Sequence, residues 1–243
     1  MDTIRELADQ VESMLRPHVV PARRAWLTAG YAPTRLNWLG VPVPAVRGVV
    51  REVSRALADE PPEAVLRFAR LLASRDAIEV RQVGYEVLAR RPDAMALLDR
   101  ATIERLGRGN DNWASVDVFA TAVVGPAWRQ DVISDRDVIA WARSRDPWWR
   151  RTAIVATVAL NTASRGGSGD ARRTLLVSAA ILPGMTPMLA KALSWALRAL
   201  VAHDPAAVRE FLTRHRTSLP PGVVREVTTK IETGRKARRS ASR

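Results

Sequence analysis

Trp113 and Asp117 are the residues of this sequence whose types and spacing most clearly allow chemistry. They stand four positions apart in a predicted helix, so both side chains are expected on one face of that helix. An aromatic face attracts a positive group, and a neighbouring carboxylate adds an opposite charge. The pair could therefore stabilise a cation. Two structural alternatives stay open: Trp113 as a core residue at a helix start, and Asp117 as a cap or as the partner of an arginine in a neighbouring repeat.

The residues that could bind a metal or form a covalent intermediate are few. The chain has no cysteine, which excludes disulfides, thiolate metal sites and cysteine nucleophiles. The three histidines, His18, His203 and His215, do not occur at a metal-binding spacing. We therefore expect no metal and no cofactor.

Helical patterns dominate the sequence, whereas alternating strand patterns are nearly absent. The apolar spacing, with Pro or Asp at many of the starts, predicts helices over 44–58, 62–73, 77–90, 92–106, 113–124, 135–143, 148–160, 171–180, 186–201, 205–215 and 220–233. The predicted connections are short. We expect a mobile loop only at 161–169, which contains three glycines. The fold class is therefore predicted to be all-α.

Internal similarity favours a repeat architecture. Residues 74–81 align with 144–151, and Asp146, Pro147 and Arg151 align with Thr186, Pro187 and Lys191 at an offset of 40. Such spacings fit two-helix units of the HEAT type, stacked as a single α-solenoid. Each unit places a basic residue at a similar point of its second helix, which predicts a concave basic groove. An arginine that covers the core edge with its aliphatic stem is the alternative at any one position.

The charge of the chain points to a polyanionic partner. Lys and Arg number 38 against 25 Asp and Glu, which gives a formal net charge of +13 over 243 residues. Such a charge favours nucleic acid first and an anionic membrane surface second; an arginine-rich coding bias is the alternative. We expect a repeat domain over 1–233, a disordered basic tail over 234–243, and a cytoplasmic, nucleoid-associated protein, because no signal peptide or long apolar run is present.

Four segments resemble the AlkD family of alkylpurine DNA glycosylases, in that family's order. They are 37–47 (Asn-Trp-Leu-Gly-Val-Pro-Val-Pro-Ala-Val-Arg), 112–117 (Asn-Trp-Ala-Ser-Val-Asp), 148–154 (Trp-Trp-Arg-Arg-Thr-Ala-Ile) and 191–198 (Lys-Ala-Leu-Ser-Trp-Ala-Leu-Arg). The resemblance implies an all-helical, monofunctional, cofactor-free enzyme that acts on duplex DNA without a pocket for the base. The expected partner is double-stranded DNA with alkylated bases, with no membrane, and the chain is expected to be a monomer.

The resemblance also implies roles for individual residues. Asp117 would be the catalytic carboxylate, Trp113 and Trp195 aromatic platforms against the damaged nucleotide's backbone, and Arg151 a phosphate or active-site contact. DNA contacts are expected from Arg47, Arg81, Trp148, Arg150, Lys191 and Arg198. Without the resemblance, Trp195 would be interpreted as a core residue and Arg151 as a solvated charge.

The departures from the family pattern are local. Asn112 stands where the family member compared has an aromatic residue, Ala114 where it has an acid, and the 161–169 loop is longer. These differences leave lesion preference open, including a narrower variant that acts on bulky adducts. A non-catalytic HEAT protein that binds damaged or branched DNA is the main alternative function, and a protein-binding HEAT scaffold is the second.

The remaining tryptophans are interpreted structurally. Because Trp148 and Trp149 are adjacent, we expect one of them to be buried and the other to face the groove. Purely structural roles are predicted for Trp26, Trp38, Trp128 and Trp141.

Overall fold

The computed structural model describes residues 2–235, and its regular backbone is helical. Asn37 and Ala77 form an isolated bridge, and no strand occurs within 2–235. The all-α prediction is therefore confirmed. Most of the predicted basic tail, residues 236–243, lies outside the described residues.

The chain divides into two compact units, Met1–Ile133 and Ser134–Arg243, called here the N-terminal and the C-terminal unit. A single domain over 1–233 stays a prediction. The helices of the N-terminal unit are α1 (Thr3–Leu15), α2 (Pro21–Trp26), α3 (Val43–Ala56), α4 (Pro62–Ala73), α5 (Ile78–Leu88), α6 (Pro92–Met95), α7 (Arg100–Gly107), α8 (Trp113–Phe119) and α9 (Gly125–Arg129). In this unit α5 packs against α3, α4 and α8, and α1 packs against α4.

The C-terminal unit is built around two long helices that pack against each other. Its helices are α10 (Asp135–Ala142), α11 (Pro147–Leu160), α12 (Ala171–Ala180), α13 (Pro187–Leu200), α14 (Pro205–Arg214) and α15 (Pro221–Thr233). Helix α11 contacts α10, α12 and α13, and α13 also contacts α15. In both units, helices pack against their chain neighbours and against the next helix but one, as expected for stacked helical repeats.

Helix starts are fixed by side chains that satisfy the first backbone N–H groups. Asp146 accepts a hydrogen bond from Trp148 N at 2.8 Å, and Thr186 accepts one from Leu189 N at 3.3 Å. Both helices have proline as their first residue, a position where its missing N–H costs nothing. The similarity at an offset of 40 therefore marks two equivalent helix starts.

Several predicted boundaries differ from the structure. Helices α1, α2 and α9 were not predicted, and the predicted helix 92–106 is two helices, α6 and α7. The break occurs because Asp99 accepts a hydrogen bond from Thr102 N at 2.6 Å and so caps a new helix. The predicted helix 113–124 is α8 followed by a π-helical turn, Ala120–Val124.

The loop at 161–169 is held in place by the C-terminal unit, contrary to the expected mobility. Buried Asn161 donates to Thr157 O and to Thr174 Oγ1, each at 2.8 Å, and accepts from Asp170 N at 3.0 Å. Gly169 N donates to Leu160 O at 3.0 Å. A buried amide with these partners fixes the path of the chain.

Gly167 makes this loop intolerant of a side chain. A Cβ added there would lie 2.3 Å from Ala159 O and 2.5 Å from Leu160 O, both of which are backbone atoms. We expect Gly167→Ala to lower the free energy of unfolding by about 1–3 kcal/mol, as forced overpacking does. Gly222→Ala is the matched control, because a Cβ there meets nothing within 4 Å. Equal denaturation midpoints for the two variants would contradict this account of the loop.

Candidate functional site

Trp113 and Asp117 lie on α8 of the N-terminal unit, one turn apart, and both side chains are half-buried. Directly after α8 the helix widens into the π-helical turn, where Thr121 Oγ1 donates to the backbone oxygen of Asp117 at 2.7 Å. Single π-helical turns inside helices occur frequently at functional sites. Helix α8 confirms the prediction that Trp113 and Asp117 share one helix face. The roles of the two residues stay predictions.

Trp113 stands at the edge of a small apolar cluster rather than in the main core. Its ring packs, together with Leu36 and Ala114, against the buried residues Leu27, Ala32, Trp38 and Ile78. One side of the indole is thereby fixed, and part of the ring stays accessible. Such a ring can serve as a rigid wall, because its position does not depend on the ligand.

Asn112 is the N-cap of α8 and is fully buried. Its side-chain oxygen accepts from Ala114 N at 2.9 Å and from Ser115 N at 3.0 Å, and its amide nitrogen donates to Ser115 Oγ at 3.0 Å and to Thr34 Oγ1 at 3.2 Å. The departure from the family pattern at this position therefore has a structural role, as the buried cap of α8.

The segment 34–41 connects the start of α8 to the start of α5. The hydroxyl of Thr34 donates to Asp111, and Arg35 N donates to the same carboxylate at 2.7 Å. Asn37 N donates to Asp76 O at 2.7 Å. Two segments of the family resemblance, 37–47 and 112–117, are thus held close to one another within the N-terminal unit.

Glu79 in the first turn of α5 fixes the rest of this segment. Only 2% of the residue is exposed, and its carboxylate accepts from Leu39 N at 3.0 Å, Gly40 N at 2.8 Å and Val41 N at 3.2 Å. Gly40 has a φ of +86°, and a Cβ there would lie 2.7 Å from Arg24 Cβ. Sequence reasoning missed Glu79; its only sequence signal is an acidic residue in the first turn of a helix.

In the C-terminal unit, Lys191 and Trp195 lie one turn apart on α13, and both are exposed. The Trp195 residue is 37% exposed, while Leu193, Ala196 and Leu197 of the same helix are buried. The alternative interpretation of Trp195 as a core residue is therefore wrong. A cation and an aromatic face on one helix surface can contact a phosphate and a sugar or base together.

Two arginines at the start of α11 have surroundings that the sequence does not reveal. Arg150 donates to the carbonyl oxygens of Ala142, Ile181, Pro183 and Gly184, which favours a structural role over the predicted DNA contact. Arg151 is buried, and its Nη1 donates to Met188 O at 2.8 Å, so it holds α11 against the start of α13.

Trp148 and Trp149 are both half-buried, so the expectation that one of them is buried is wrong, whereas a position of the other at the groove stays a prediction. The ring of Trp149 packs against that of Trp141, with centroids 5.1 Å apart. Trp38, Trp128 and Trp141 are buried, in agreement with structural roles, whereas Trp26 is 51% exposed.

The other predicted DNA contacts differ in accessibility. Arg47 is exposed, and its Nε lies 3.9 Å from Glu86 Oε2.

Two of the predicted DNA-contacting arginines are held by other parts of the protein. Arg198 donates hydrogen bonds to Glu226 and Ser194. Arg81 is 5% exposed and donates to the carbonyl oxygens of Arg75 at 2.6 Å and Arg108 at 2.8 Å. These contacts hold Arg81 and Arg198 in place within the protein, and leave the predicted DNA contact most accessible at Arg47 and Lys191.

The excess positive charge belongs almost entirely to the C-terminal unit. Residues 1–133 carry 18 basic and 17 acidic residues, for a net charge of +1, whereas residues 134–243 carry 20 basic and 8 acidic residues, for +12. Affinity for a polyanion is therefore expected to arise mainly from the C-terminal unit.

Residues 2–235 contain no group of three or more His, Cys, Asp or Glu side chains able to hold a metal ion. They also contain no helix long and apolar enough to cross a membrane.

Comparison with known proteins gives the class of protein. A family profile described as "DNA alkylation repair enzyme" matches residues 11–231, which is most of the chain. The chain therefore belongs to the family of DNA alkylation repair enzymes, in agreement with the resemblance of its four segments to AlkD-like proteins. No curated protein matches it.

Proposed function

We propose that this protein is a monofunctional DNA glycosylase that hydrolyses the N-glycosidic bond of purines alkylated at N3 or N7 in duplex DNA, the first step of base excision repair. The observation that carries the proposal is the position of Asp117. Its side chain is half-buried and lies one helical turn from the packed ring of Trp113, and the chain belongs to a DNA alkylation repair family. The main alternative, a protein that only binds damaged or branched DNA, is an outcome of the test below.

The proposed chemistry needs only one carboxylate. A purine alkylated at N3 or N7 carries a positive charge, so the bond between C1′ and the base nitrogen breaks with the electron pair moving to the base, which leaves neutral. The sugar becomes an oxocarbenium-like cation. Asp117 stabilises this cation electrostatically, a water adds to C1′, and the water's proton passes to the carboxylate or to solvent. Trp113 limits water on one side of the cation and offers it an aromatic face.

No Schiff base is part of the proposal. A lyase that cuts the strand through a covalent intermediate needs an amine nucleophile. The chain has three lysines, and the one on the exposed face of α13, Lys191, is assigned here to a backbone phosphate. The expected products are therefore a free base and an intact strand with an abasic site.

Binding is assigned chiefly to the C-terminal unit because of its charge. Lys191 would contact a phosphate, and the exposed face of Trp195 would pack against the sugar–phosphate backbone. Since phosphate contacts release counterions, we expect affinity for the duplex to fall steeply with salt.

Trp195→Ala tests the aromatic platform. We expect it to weaken binding of duplex DNA by about 10- to 100-fold, because a stacked aromatic contact contributes on the order of 1–3 kcal/mol. Fluorescence anisotropy of a labelled duplex measures the change. Trp26→Ala is the matched control, since Trp26 is also exposed but lies on α2. A similar loss of affinity in both variants would contradict the role of Trp195.

The test of the proposed activity is product analysis. The protein is incubated with duplexes that contain 7-methylguanine or 3-methyladenine, the released base is quantified by mass spectrometry, and the strand is analysed before and after alkali treatment. Free base together with alkali-labile, otherwise intact strands supports a monofunctional glycosylase. If the protein binds these duplexes without releasing base, duplexes with bulky N3 or N7 adducts are tested next. Binding without release from any of them would replace the proposal with the non-catalytic alternative.

A further inference from the structure

A cavity of about 460 Å³ lies in the N-terminal unit among α4, α5 and α7. Four of its lining residues are arginines, Arg70, Arg81, Arg105 and Arg108, and none is acidic. Ala73 and Leu106 supply apolar wall. Four guanidinium groups around one cavity, without a carboxylate in its lining, form a strongly positive site.

These arginines lack the ion pairs that neutralise their neighbours. On α4 the guanidinium of Arg67 binds Asp2, and just after α4 that of Arg75 binds Asp9. Within 2–235, by contrast, no carboxylate oxygen lies within 4.0 Å of a guanidinium nitrogen of the four cavity arginines. Asp99 lies near Arg70 and Arg105 without forming an ion pair with either, so most of the charge of the four arginines is left for solvent or for a ligand to balance.

Arg81 forms the buried part of the cavity wall. Its Nε donates to Arg75 O and its Nη1 to Arg108 O, so only neutral acceptors meet its charge. The same charge acts on neighbouring Tyr85, where burial raises the pKa of the phenol and the charge of Arg81 opposes that rise. A buried cation without a carboxylate is costly unless an anion compensates it. Gly109, with a φ of +78°, lies against the guanidinium without a side chain in the way.

Arg70 and Arg105 are drawn together at the cavity by an uncharged group. Each donates to Thr102 Oγ1 at 3.1 Å, so two exposed guanidinium groups converge on one hydroxyl. The nearby Asp99 is engaged by Thr102 at the start of α7, and its pKa is lowered, first by the hydrogen bonds from Thr102 and then by the charges of Arg105 and Arg70. Like charges held this close repel, and a bound anion would remove that repulsion.

We propose that this cavity binds a phosphate group, carried by a nucleotide-sized ligand or by the DNA backbone. Phosphate matches the site because guanidinium forks donate paired hydrogen bonds to its oxygens. The cavity volume leaves room beyond the phosphate, and the apolar wall of Ala73 and Leu106 suits a sugar or a base. The site is separate from Asp117 and Trp113 in its residues, and its ligand binding does not depend on glycosylase activity.

Calorimetric titration with inorganic phosphate, at an ionic strength held constant with sodium chloride, tests the site on the full chain. We expect saturable binding with one phosphate per chain. The double variant Arg105→Gln/Arg108→Gln is expected to bind at least about tenfold more weakly, because charge-assisted hydrogen bonds are lost. The control Arg51→Gln/Arg55→Gln removes the same charge from exposed positions of α3 and is expected to bind as the wild type does.

Two further arms identify the source of the phosphate. Tighter binding of adenosine monophosphate than of inorganic phosphate, lost in Arg105→Gln/Arg108→Gln only, identifies a nucleotide. Displacement of phosphate by an undamaged duplex, with weaker duplex binding by that variant, identifies the DNA backbone. If neither adenosine monophosphate nor the duplex displaces inorganic phosphate, the ligand is a small inorganic anion and the proposed phosphate site is retained. Absence of saturable phosphate binding, or an equal loss in both double variants, overturns the proposal while leaving the glycosylase assay unaffected.

Discussion

Replacing Asp117 by Asn is expected to slow release of alkylated base by about 10²–10³-fold, while binding of the duplex is kept. The substitution preserves the size of the side chain and removes the negative charge that is proposed to stabilise the sugar cation. Single preorganised electrostatic contacts of this kind contribute on that order to enzyme rates. Single-turnover release of 7-methylguanine, measured beside anisotropy binding of the same duplex, gives both quantities.

Glu52→Gln is the matched control for this experiment. It removes one negative charge from an exposed position on α3, so a general effect of net charge on DNA binding would be visible there as well. If Asp117→Asn releases base at the wild-type rate, Asp117 is not the catalytic carboxylate. If both variants slow release equally, the effect is one of overall charge.

Replacing Glu79 by Ala is expected to lower the free energy of unfolding by about 3 kcal/mol. The change leaves three buried or half-buried N–H groups, those of Leu39, Gly40 and Val41, without their acceptor, and unmet donors of this kind are costly. Because segment 34–41 supports the cluster on which Trp113 packs, the variant should also lose base release at temperatures where it remains folded.

Glu79→Gln separates these two effects. The amide keeps one oxygen as an acceptor, so a smaller loss of stability is expected, and chemical denaturation of the three proteins measures the order wild type, Gln variant, Ala variant. Stability of Glu79→Ala equal to the wild type would show that the carboxylate does not hold the segment.

The parts of the fold that local rules determine could be predicted from the sequence. Proline and a capping side chain define the starts of α11 and α13, and apolar spacing gave both ends of α4 and α12 correctly. Helix α1 was not predicted, although Asp2 caps it and Ile4, Ala8, Val11 and Leu15 form a regular buried stripe. The signals for this helix are therefore present in the sequence itself.

The parts that depend on tertiary contacts could not be predicted. Arginines look alike in sequence, yet Arg150 binds four carbonyl oxygens whereas Arg47 remains exposed, because the acceptors come from distant turns. The acceptor role of Glu79 depends on segment 34–41, some 40 residues away in the chain. Trp195 was assigned an exposed role only through the family resemblance, since its neighbours Leu193 and Leu197 would suggest a core residue.

The central claim is that the protein accelerates hydrolysis of the N-glycosidic bond. The most direct test is the first-order rate at which 7-methylguanine is released from a defined duplex at saturating protein. This rate is compared with the rate of release from the same duplex without protein. The comparison matters because cationic purines also leave spontaneously. We predict a protein-bound rate at least about 10²-fold above the spontaneous rate, which is the low end of what one electrostatic contact contributes. Equal rates for 7-methylguanine, 3-methyladenine and bulky purine adducts, with and without saturating protein, would contradict the account.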